Sequence, residues 1–194
     1  MNTKALSLII IFAALTIALN IAGPKIPAPY APFLYYQIWE IPIVIAFLAL
    51  GPKPGLMIAG INTAILLVVF PGALPLGPVY NLIAVLAMLL GVYIPYRIGT
   101  HGCKTENLSS FLQQHVKMIS VSATALGITM RVAVTSFTNY FLLQQSPPVG
   151  FSYSSGAALA FLPLSALFNA TVALYTVPVA VTVTVAVASR YKIQ

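Results

Sequence analysis

Long apolar runs, separated by short breaks rich in proline, glycine and polar residues, make up almost the whole chain. Six of these runs predict membrane-spanning helices of roughly 20 residues each. The predicted spans are residues 3–22, 33–50, 54–70, 78–97, 117–143 and 157–188. The second span depends on the aromatic residues at its start, because its purely apolar part is too short to cross about 30 Å of hydrocarbon at about 1.5 Å per residue.

The composition indicates the same class of protein. Hydrophobic residues make up 60% of the 194 residues and charged residues 6%, and the mean hydropathy is +0.98, outside the usual range of soluble domains. The chain is therefore predicted to be an all-α integral membrane protein, a single six-helix bundle over residues 1–194. We interpret the first run as a helix and not as a signal peptide, because it is long and lacks a small-x-small cleavage site.

The distribution of basic residues predicts the orientation in the membrane, since short cytoplasmic loops carry excess Lys and Arg. With the N-terminus inside, Lys25 lies outside, Arg131 lies within a span, and all other basic residues lie on the inner side: Lys4, Lys53, Arg97, Lys104, Lys117, Arg190 and Lys192. Both termini are therefore expected to be cytoplasmic. The net charge of +7 indicates topology and contact with anionic lipid of the bilayer, and no nucleic acid partner is expected, because the basic residues form no stripe.

Patterns typical of membrane enzymes do not occur in the chain. His101, His115 and Glu106 lie in or beside one polar loop, without an H-E-x-x-H or G-x-S-x-G pattern. Cys103 is the single cysteine, which excludes an internal disulfide and a thiolate metal site. We predict no catalytic residue, no metal and no cofactor. Without a G-x-x-x-x-G-K-[ST] phosphate loop, ATP-driven transport would require a partner that hydrolyses ATP.

Arg131 and Glu40 are the most informative charged residues. Arg131 lies about midway along the fifth span, where an unpaired guanidinium costs at least a few kcal/mol. Glu40 is the acid at the outer end of the second span, and the topology places it at the outer membrane boundary. Either the two residues pair, or Arg131 binds an anionic or carbonyl-bearing ligand; the two states could also alternate on ligand binding.

Further polar residues lie in the outer halves of the predicted helices. Asn81 opens the fourth span, Asn139 and Tyr140 close the fifth, and Ser165 and Asn169 belong to the sixth. Within lipid such groups face the bundle interior, where they either join helices by hydrogen bonds or contact a ligand. The asparagines could therefore line one pocket that opens to the outside.

Two shorter segments each allow two interpretations. The aromatic residues Tyr35, Tyr36 and Trp39 precede Glu40 and form either an interfacial belt or the wall of an outward-facing pocket. In the first span, "AALTIALN" places Ala14 and Ala18 four residues apart on one helical face, a spacing that lets another helix approach closely. That helix belongs either to this bundle or to a partner subunit.

Several stretches together resemble the substrate-binding S component of energy-coupling factor (ECF) vitamin transporters, most closely the riboflavin-type group. They are "AALTIALN", "YQIWEIPIVIAFLALGPKPGLMIAGIN", "GPVYNLIAVLAMLLGVYIPYR", "TSFTNYFLL" and "LPLSALFNATVA". The resemblance implies a multi-pass protein of a prokaryotic cell membrane that captures a vitamin-like small molecule from outside. It further implies delivery of the vitamin with a transmembrane coupling protein and two ATPase subunits. A self-sufficient facilitator or channel for a small solute is the alternative.

The resemblance also implies roles for particular residues. Ala14 and Ala18 match the alanine motif that docks on the coupling protein. The vitamin would lie between the first outer loop and the fourth to sixth helices, against residues that include Tyr35, Tyr36, Gln37, Trp39, Asn81, Asn139 and Tyr140. With the polar residues above, the predicted substrate-binding set also contains Glu40, Arg131, Ser165 and Asn169.

The sixth helix departs from the riboflavin-type pattern. Riboflavin binders typically have "LPFNLIKG" in the sixth helix, and with "LP" aligned this chain has Ser165 and Phe168 in place of the Asn and Lys that contact the flavin. The departure argues against riboflavin. Arg131 is a candidate to replace the lost cation, which would indicate a different heteroaromatic vitamin, such as an anionic one.

Overall fold

The computed structural model describes residues 3–69, 74–100 and 108–190. Within these ranges the chain forms six helices and one two-stranded hairpin: α1 (Thr3–Ala22), β1 (Ile26–Ala28), β2 (Ala31–Tyr36), α2 (Glu40–Ala49), α3 (Pro52–Val69), α4 (Gly77–Thr100), α5 (Leu108–Leu142) and α6 (Ser155–Arg190). The predicted loop residues His101, Cys103, Lys104 and Glu106, and the predicted inner-side residue Lys192, lie outside the described residues.

Five helices of the described ranges, α1 and α3 to α6, are long and apolar enough to cross a membrane. Prolines inside α4 and α6 are tolerated in such helices, because neighbouring groups satisfy the backbone carbonyls that they free. Helix α2 has 10 residues, which corresponds to about 15 Å, or half of the hydrocarbon core. The chain is thus a multi-pass membrane protein with an all-helical bundle, in which the predicted second span is only partly helical.

Residues 33–36, the first four of the predicted second span, belong to a strand and not to a helix. Strand β2 pairs antiparallel with β1, so that Ile26 lies opposite Tyr36, and the register shifts between Pro27 and Ala28. Proline lacks the N–H that a central strand needs, so the prolines of this segment restrict it to a short, irregular hairpin. A helix begins only at Glu40.

Helix α2 lies in the centre of the bundle, in contact with α1, α3, α4 and α6. Most of its side chains are buried, and Ile43, Val44 and Phe47 belong to the main hydrophobic core. Gly51, with a φ of +103°, reverses the chain after α2 in a backbone conformation that favours glycine, and Pro52 begins α3 at a position where a missing N–H costs nothing. The turn therefore ends α2 abruptly.

Helix α5 packs against both α4 and α6 along much of its length. The α4 contact is very close at Gly91, because a side chain there would collide with the backbone of Leu126 and Gly127. Small residues of this kind let helix backbones approach in membranes, where packing and not hydrophobic exclusion holds helices together. This packing fixes the face of α5 that carries Arg131 toward α2 and α6.

Candidate functional site

A cavity of about 210 Å³ lies between strand β2, the linker that follows it and helices α2, α4, α5 and α6. Its walls combine aromatic rings, aliphatic side chains, two amides and two opposite charges. The lining residues are Phe33, Leu34, Tyr35, Gln37, Trp39, Glu40, Asn81, Arg131, Phe168, Val172 and Tyr175. A concave surface that combines aromatic and aliphatic side chains with a few convergent polar groups is typical of a small-molecule site.

The two charges in the cavity wall form a bidentate ion pair. Arg131 donates from Nη1 to Glu40 Oε2 and from Nη2 to Glu40 Oε1, the second over 2.9 Å. The side chains are only 3% and 5% exposed. A guanidinium and a carboxylate match in this fork geometry, so the pair compensates two charges that would each be very costly alone.

Polar residues of α5 and α6 extend the ion pair into a buried network. Arg131 Nε donates to Asn169 Oδ1 over 2.8 Å, and Asn169 Nδ2 donates to the backbone carbonyl of Ser165 over 2.9 Å. Asn139 Nδ2 in turn donates to Ser165 Oγ over 2.6 Å. Met88 Sδ of α4 lies 3.6 Å from Arg131 Nη1. The amide of Asn169 is thus oriented by one neighbour and fixes the plane of the guanidinium.

The short length of α2 determines how deep the ion pair lies. From the turn at Gly51 the helix rises about 15 Å to Glu40, about half of the hydrocarbon thickness. Lys53 is exposed beside that turn, as expected for a cation at the membrane interface. Glu40 therefore lies about 15 Å along α2 from that turn, beside Arg131 in the interior of the bundle. The non-helical backbone just before Glu40 lines the cavity, where Gln37 and Trp39 belong to the wall.

Aromatic contacts hold the hairpin and linker against α6. The ring of Tyr36 stacks on Phe168, with centroids 5.1 Å apart, and Phe33 stacks on Phe161 at 6.0 Å. Tyr175 donates its hydroxyl to the backbone carbonyl of Gln37 over 2.6 Å. Ring stacking and one hydrogen bond thus hold the hairpin and linker in place as one wall of the cavity.

The hairpin contains a second tyrosine contact at its turn. The hydroxyls of Tyr30 and Tyr36 lie 2.6 Å apart. Burial, followed by this hydrogen bond, raises the pKa of Tyr30 to about 12. Its hydroxyl is therefore neutral at physiological pH and adds no charge to the hairpin.

The structure brings part of the predicted substrate-binding set together. The predicted residues that line the cavity are Tyr35, Gln37, Trp39, Glu40, Asn81 and Arg131. Asn169, Ser165 and Asn139 lie behind the wall in the hydrogen-bond network, and Tyr36 packs on Phe168. Tyr140 contacts Phe141 edge to face and is not among the lining residues.

Several wall residues were not assigned to the site from the sequence. Phe33, Leu34 and Val172 are apolar residues in an apolar chain, and nothing in the sequence separates them from residues that face lipid. Phe168 was noted only for the cation that it replaces, and Tyr175 was not assigned to the site. The sequence could have indicated both Phe168 and Tyr175, because an aromatic ring or a hydroxyl within a membrane span commonly has a packing or hydrogen-bond partner.

Ala14 and Ala18, the predicted docking residues, are exposed on α1. Neighbouring apolar side chains of that helix are also exposed, including Ile10, Ile11 and Leu15. By contrast Ala13, on another face of the helix, is buried in the core. The described residues therefore contain no packing partner for the Ala14 and Ala18 face within the bundle.

The geometry defines a helical membrane protein with an internal cavity. Among the described residues no group of three or more His, Cys, Asp or Glu side chains could hold a metal ion. No family model and no curated protein sequence matches the chain. The chain is similar in structure to the S component of a bacterial ECF transporter, with a TM-score of 0.74, 21% identity and coverage of 98% of each chain. At this identity the likeness shows a shared fold.

Proposed function

We propose that the protein is the substrate-capturing membrane subunit of an ECF-type importer in a prokaryotic cell membrane. It binds a small heteroaromatic vitamin from outside and delivers it with a coupling protein and two ATPase subunits. The observation that carries the proposal is the cavity lined by Trp39, Tyr35 and the Glu40–Arg131 pair, in a fold like that of an S component. Such walls favour a flat ring that stacks and accepts or donates hydrogen bonds.

The construction of the wall supports capture more than free passage. Gln37 and Trp39 close the cavity from the hairpin side, Arg131 and Glu40 fill the centre of the bundle, and Met88 packs behind them. A channel needs a continuous polar path, whereas Met88, Leu89 and Val92 of α4 are fully buried in the core. A captured molecule therefore needs a further conformational step to leave on the other side.

The exposed alanine face of α1 supports a partner subunit. Ala14 and Ala18 present a smooth surface that a second helix could approach closely. We propose that this face contacts the coupling protein. Substitution of either alanine by a large residue would then reduce assembly without affecting the cavity.

Purification with bound substrate tests the proposed capture. The protein is extracted from bacterial membranes, and compounds released on denaturation are identified by mass spectrometry and absorbance. A heteroaromatic compound is expected with the parent protein and not with Tyr35→Ala, which removes an exposed ring of the cavity wall. Tyr153→Ala is the matched control, since Tyr153 is also exposed but lies outside the cavity.

Reconstitution distinguishes an importer subunit from a facilitator. Liposomes that contain the protein alone should accumulate none of the identified compound, whereas addition of a coupling protein and two ATPases should give ATP-dependent uptake. Transport by the protein alone would overturn the proposal in favour of a stand-alone facilitator.

A further inference from the structure

The cavity wall carries no net charge, and this bears on which ligands it accepts. Glu40 and Arg131 are the charged residues among those that line it, and their charges cancel. We infer that Glu40 is a specificity-determining residue. As a counter-anion within the protein, it pairs with Arg131 and so prevents Arg131 from pairing with a carboxylate of the ligand. The site therefore selects neutral rings with adjacent C=O and N–H groups over carboxylates. The inference rests on the proposed capture of a small heteroaromatic molecule and specifies its chemical class.

The hydrogen-bond inventory of Arg131 supports a neutral partner. A guanidinium has five N–H groups. The Nε group goes to Asn169, one group on each Nη goes to Glu40, and a second on Nη1 faces Met88. Within the described part of the chain the remaining Nη2 hydrogen has no acceptor. The guanidinium thus has one N–H donor left for a ligand. A carboxylate ligand would need two parallel N–H donors for a bidentate contact.

Glu40 supplies the complementary acceptor. Each of its oxygens accepts one hydrogen bond, from Arg131, and a carboxylate oxygen can accept more than one. Arg131 Nη2 and Glu40 Oε1 lie 2.9 Å apart, so a spare donor and a spare acceptor are neighbours in one wall. A lactam or carboxamide edge has the matching arrangement, with a carbonyl acceptor beside an N–H donor.

A carboxylate ligand is disfavoured because it would compete with Glu40. If the ligand displaced Glu40 from Arg131, the Glu40 carboxylate would be unpaired although its side chain is only 5% exposed. It would also lie beside the negative charge of the ligand. Leaving one partner of a buried pair uncompensated is strongly unfavourable. No other cation is available, since the lining residues besides Arg131 are aromatic, aliphatic, amide or acidic.

The volume of the cavity limits the size of the ring system. About 210 Å³ is below the roughly 300 Å³ at which pockets for drug-sized ligands begin. One ring or two fused rings therefore fit between Trp39, Tyr35 and Phe168, whereas a larger molecule requires the hairpin to move. The selected class is a neutral, oxo-substituted heteroaromatic compound of one or two rings.

Matched ligand pairs test this selectivity on the purified protein in detergent. Trp39 is the single tryptophan of the chain and lines the cavity, so quenching of its fluorescence reports occupancy. The pairs are uracil with orotate and pterin with pterin-6-carboxylate, which differ only by a carboxylate. Any compound released from the purified protein is titrated as well. The Trp39→Phe variant, followed by calorimetry, controls for optical absorption by the ligands.

The expected result is binding of the neutral member at least about tenfold more tightly than its carboxylate partner, a difference of about 1.4 kcal/mol. Equal or tighter binding of the carboxylate, or an anionic compound released from the protein, would overturn the inference and leave the proposed capture intact. No saturable binding by any probe, together with no released compound, would overturn both.

The Glu40→Gln variant adds a result that a merely structural role would not give. Removal of the counter-anion frees Arg131, so the preference should shift toward the carboxylate member by at least about tenfold. An unchanged preference in the folded variant would contradict the role given to Glu40. The comparison on the parent protein does not depend on whether this variant folds.

Discussion

The two sides of the helix bundle use polar side chains very differently. On the side of α1 and α3, Asn20 donates to Asn62 over 3.4 Å, and the surrounding contacts are largely apolar. On the side of α5 and α6, a continuous chain of short hydrogen bonds runs from Glu40 through Arg131 to Ser165. The first side holds helices together, whereas the second stabilises charges beside a cavity.

This difference has an energetic basis. Hydrogen bonds between membrane helices average about 0.6 kcal/mol, because the unfolded helices in the membrane also find partners. A buried charge has no other group in the hydrocarbon that could replace its partner. Removal of the partner of a buried charge therefore costs far more than removal of a neutral hydrogen-bond partner. The α5–α6 side should therefore be more sensitive to substitution than the α1–α3 side.

The largest effect is expected from Arg131→Gln, which leaves the Glu40 carboxylate buried without its counter-charge. We expect a loss of about 3–5 kcal/mol in stability, measured as a lower thermal midpoint in detergent. The double variant Glu40→Gln/Arg131→Gln should recover much of that loss, because no buried charge remains. If Arg131→Gln has a thermal midpoint close to that of the parent protein, the two sides of the bundle do not differ in their energetic dependence on polar residues.

A smaller loss is expected from Asn169→Ala, which removes the acceptor for Arg131 Nε but retains the ion pair. An unsatisfied buried donor costs about 1–3 kcal/mol. The matched control is Thr182→Ala, since Thr182 is exposed on the same helix and its hydroxyl donates to the backbone carbonyl of Pro178 one turn away. Equal midpoints for the two variants would mean that Asn169 does not support the guanidinium.

On the opposite side, Asn20→Ala should cost only about 0.6 kcal/mol, the average for a hydrogen bond between membrane helices. Thermal unfolding under the same conditions as for Asn169→Ala gives a direct comparison. A loss as large as that for Asn169→Ala would show that the two sides do not differ in their dependence on polar contacts.

The smallest effect on stability is expected from Ala18→Leu, within about 0.5 kcal/mol, because Ala18 is exposed. Ala13→Leu is the control on the same helix: Ala13 is buried, and overpacking there should cost about 1–3 kcal/mol. Co-purification with a coupling protein is expected to fall for Ala18→Leu. Normal assembly would argue against α1 as the docking helix.

Apolar runs predicted most of the helices because a membrane helix must be apolar over its whole length. Helix α1 covers the range predicted for the first span. The hairpin escaped prediction because residues 33–36, "FLYY", are as apolar as the helix that follows them. Pairing with β1 and tertiary contacts with Phe161, Phe168 and Tyr175 hold this stretch extended.

The ion pair was one of two sequence-based hypotheses, since Arg131 requires compensation and Glu40 is the acid nearest in the predicted topology. The pair and the cavity now coincide, so a structural pair and a ligand contact need not exclude each other. The apolar walls could not be predicted, because nothing in the sequence distinguishes Phe33 and Val172 from the many apolar residues that face lipid or core.

Helices α5 and α6 have 35 and 36 residues, so each is more than 50 Å long, about 20 Å more than the hydrocarbon core. They must tilt or project into the headgroups. They pack against each other, and Arg131 and Asn169 lie about 30 Å along their helices from the Leu108 end of α5 and the Arg190 end of α6. We therefore expect the tilt of this helix pair, and with it the setting of Arg131 and Asn169 in the cavity wall, to vary with bilayer thickness.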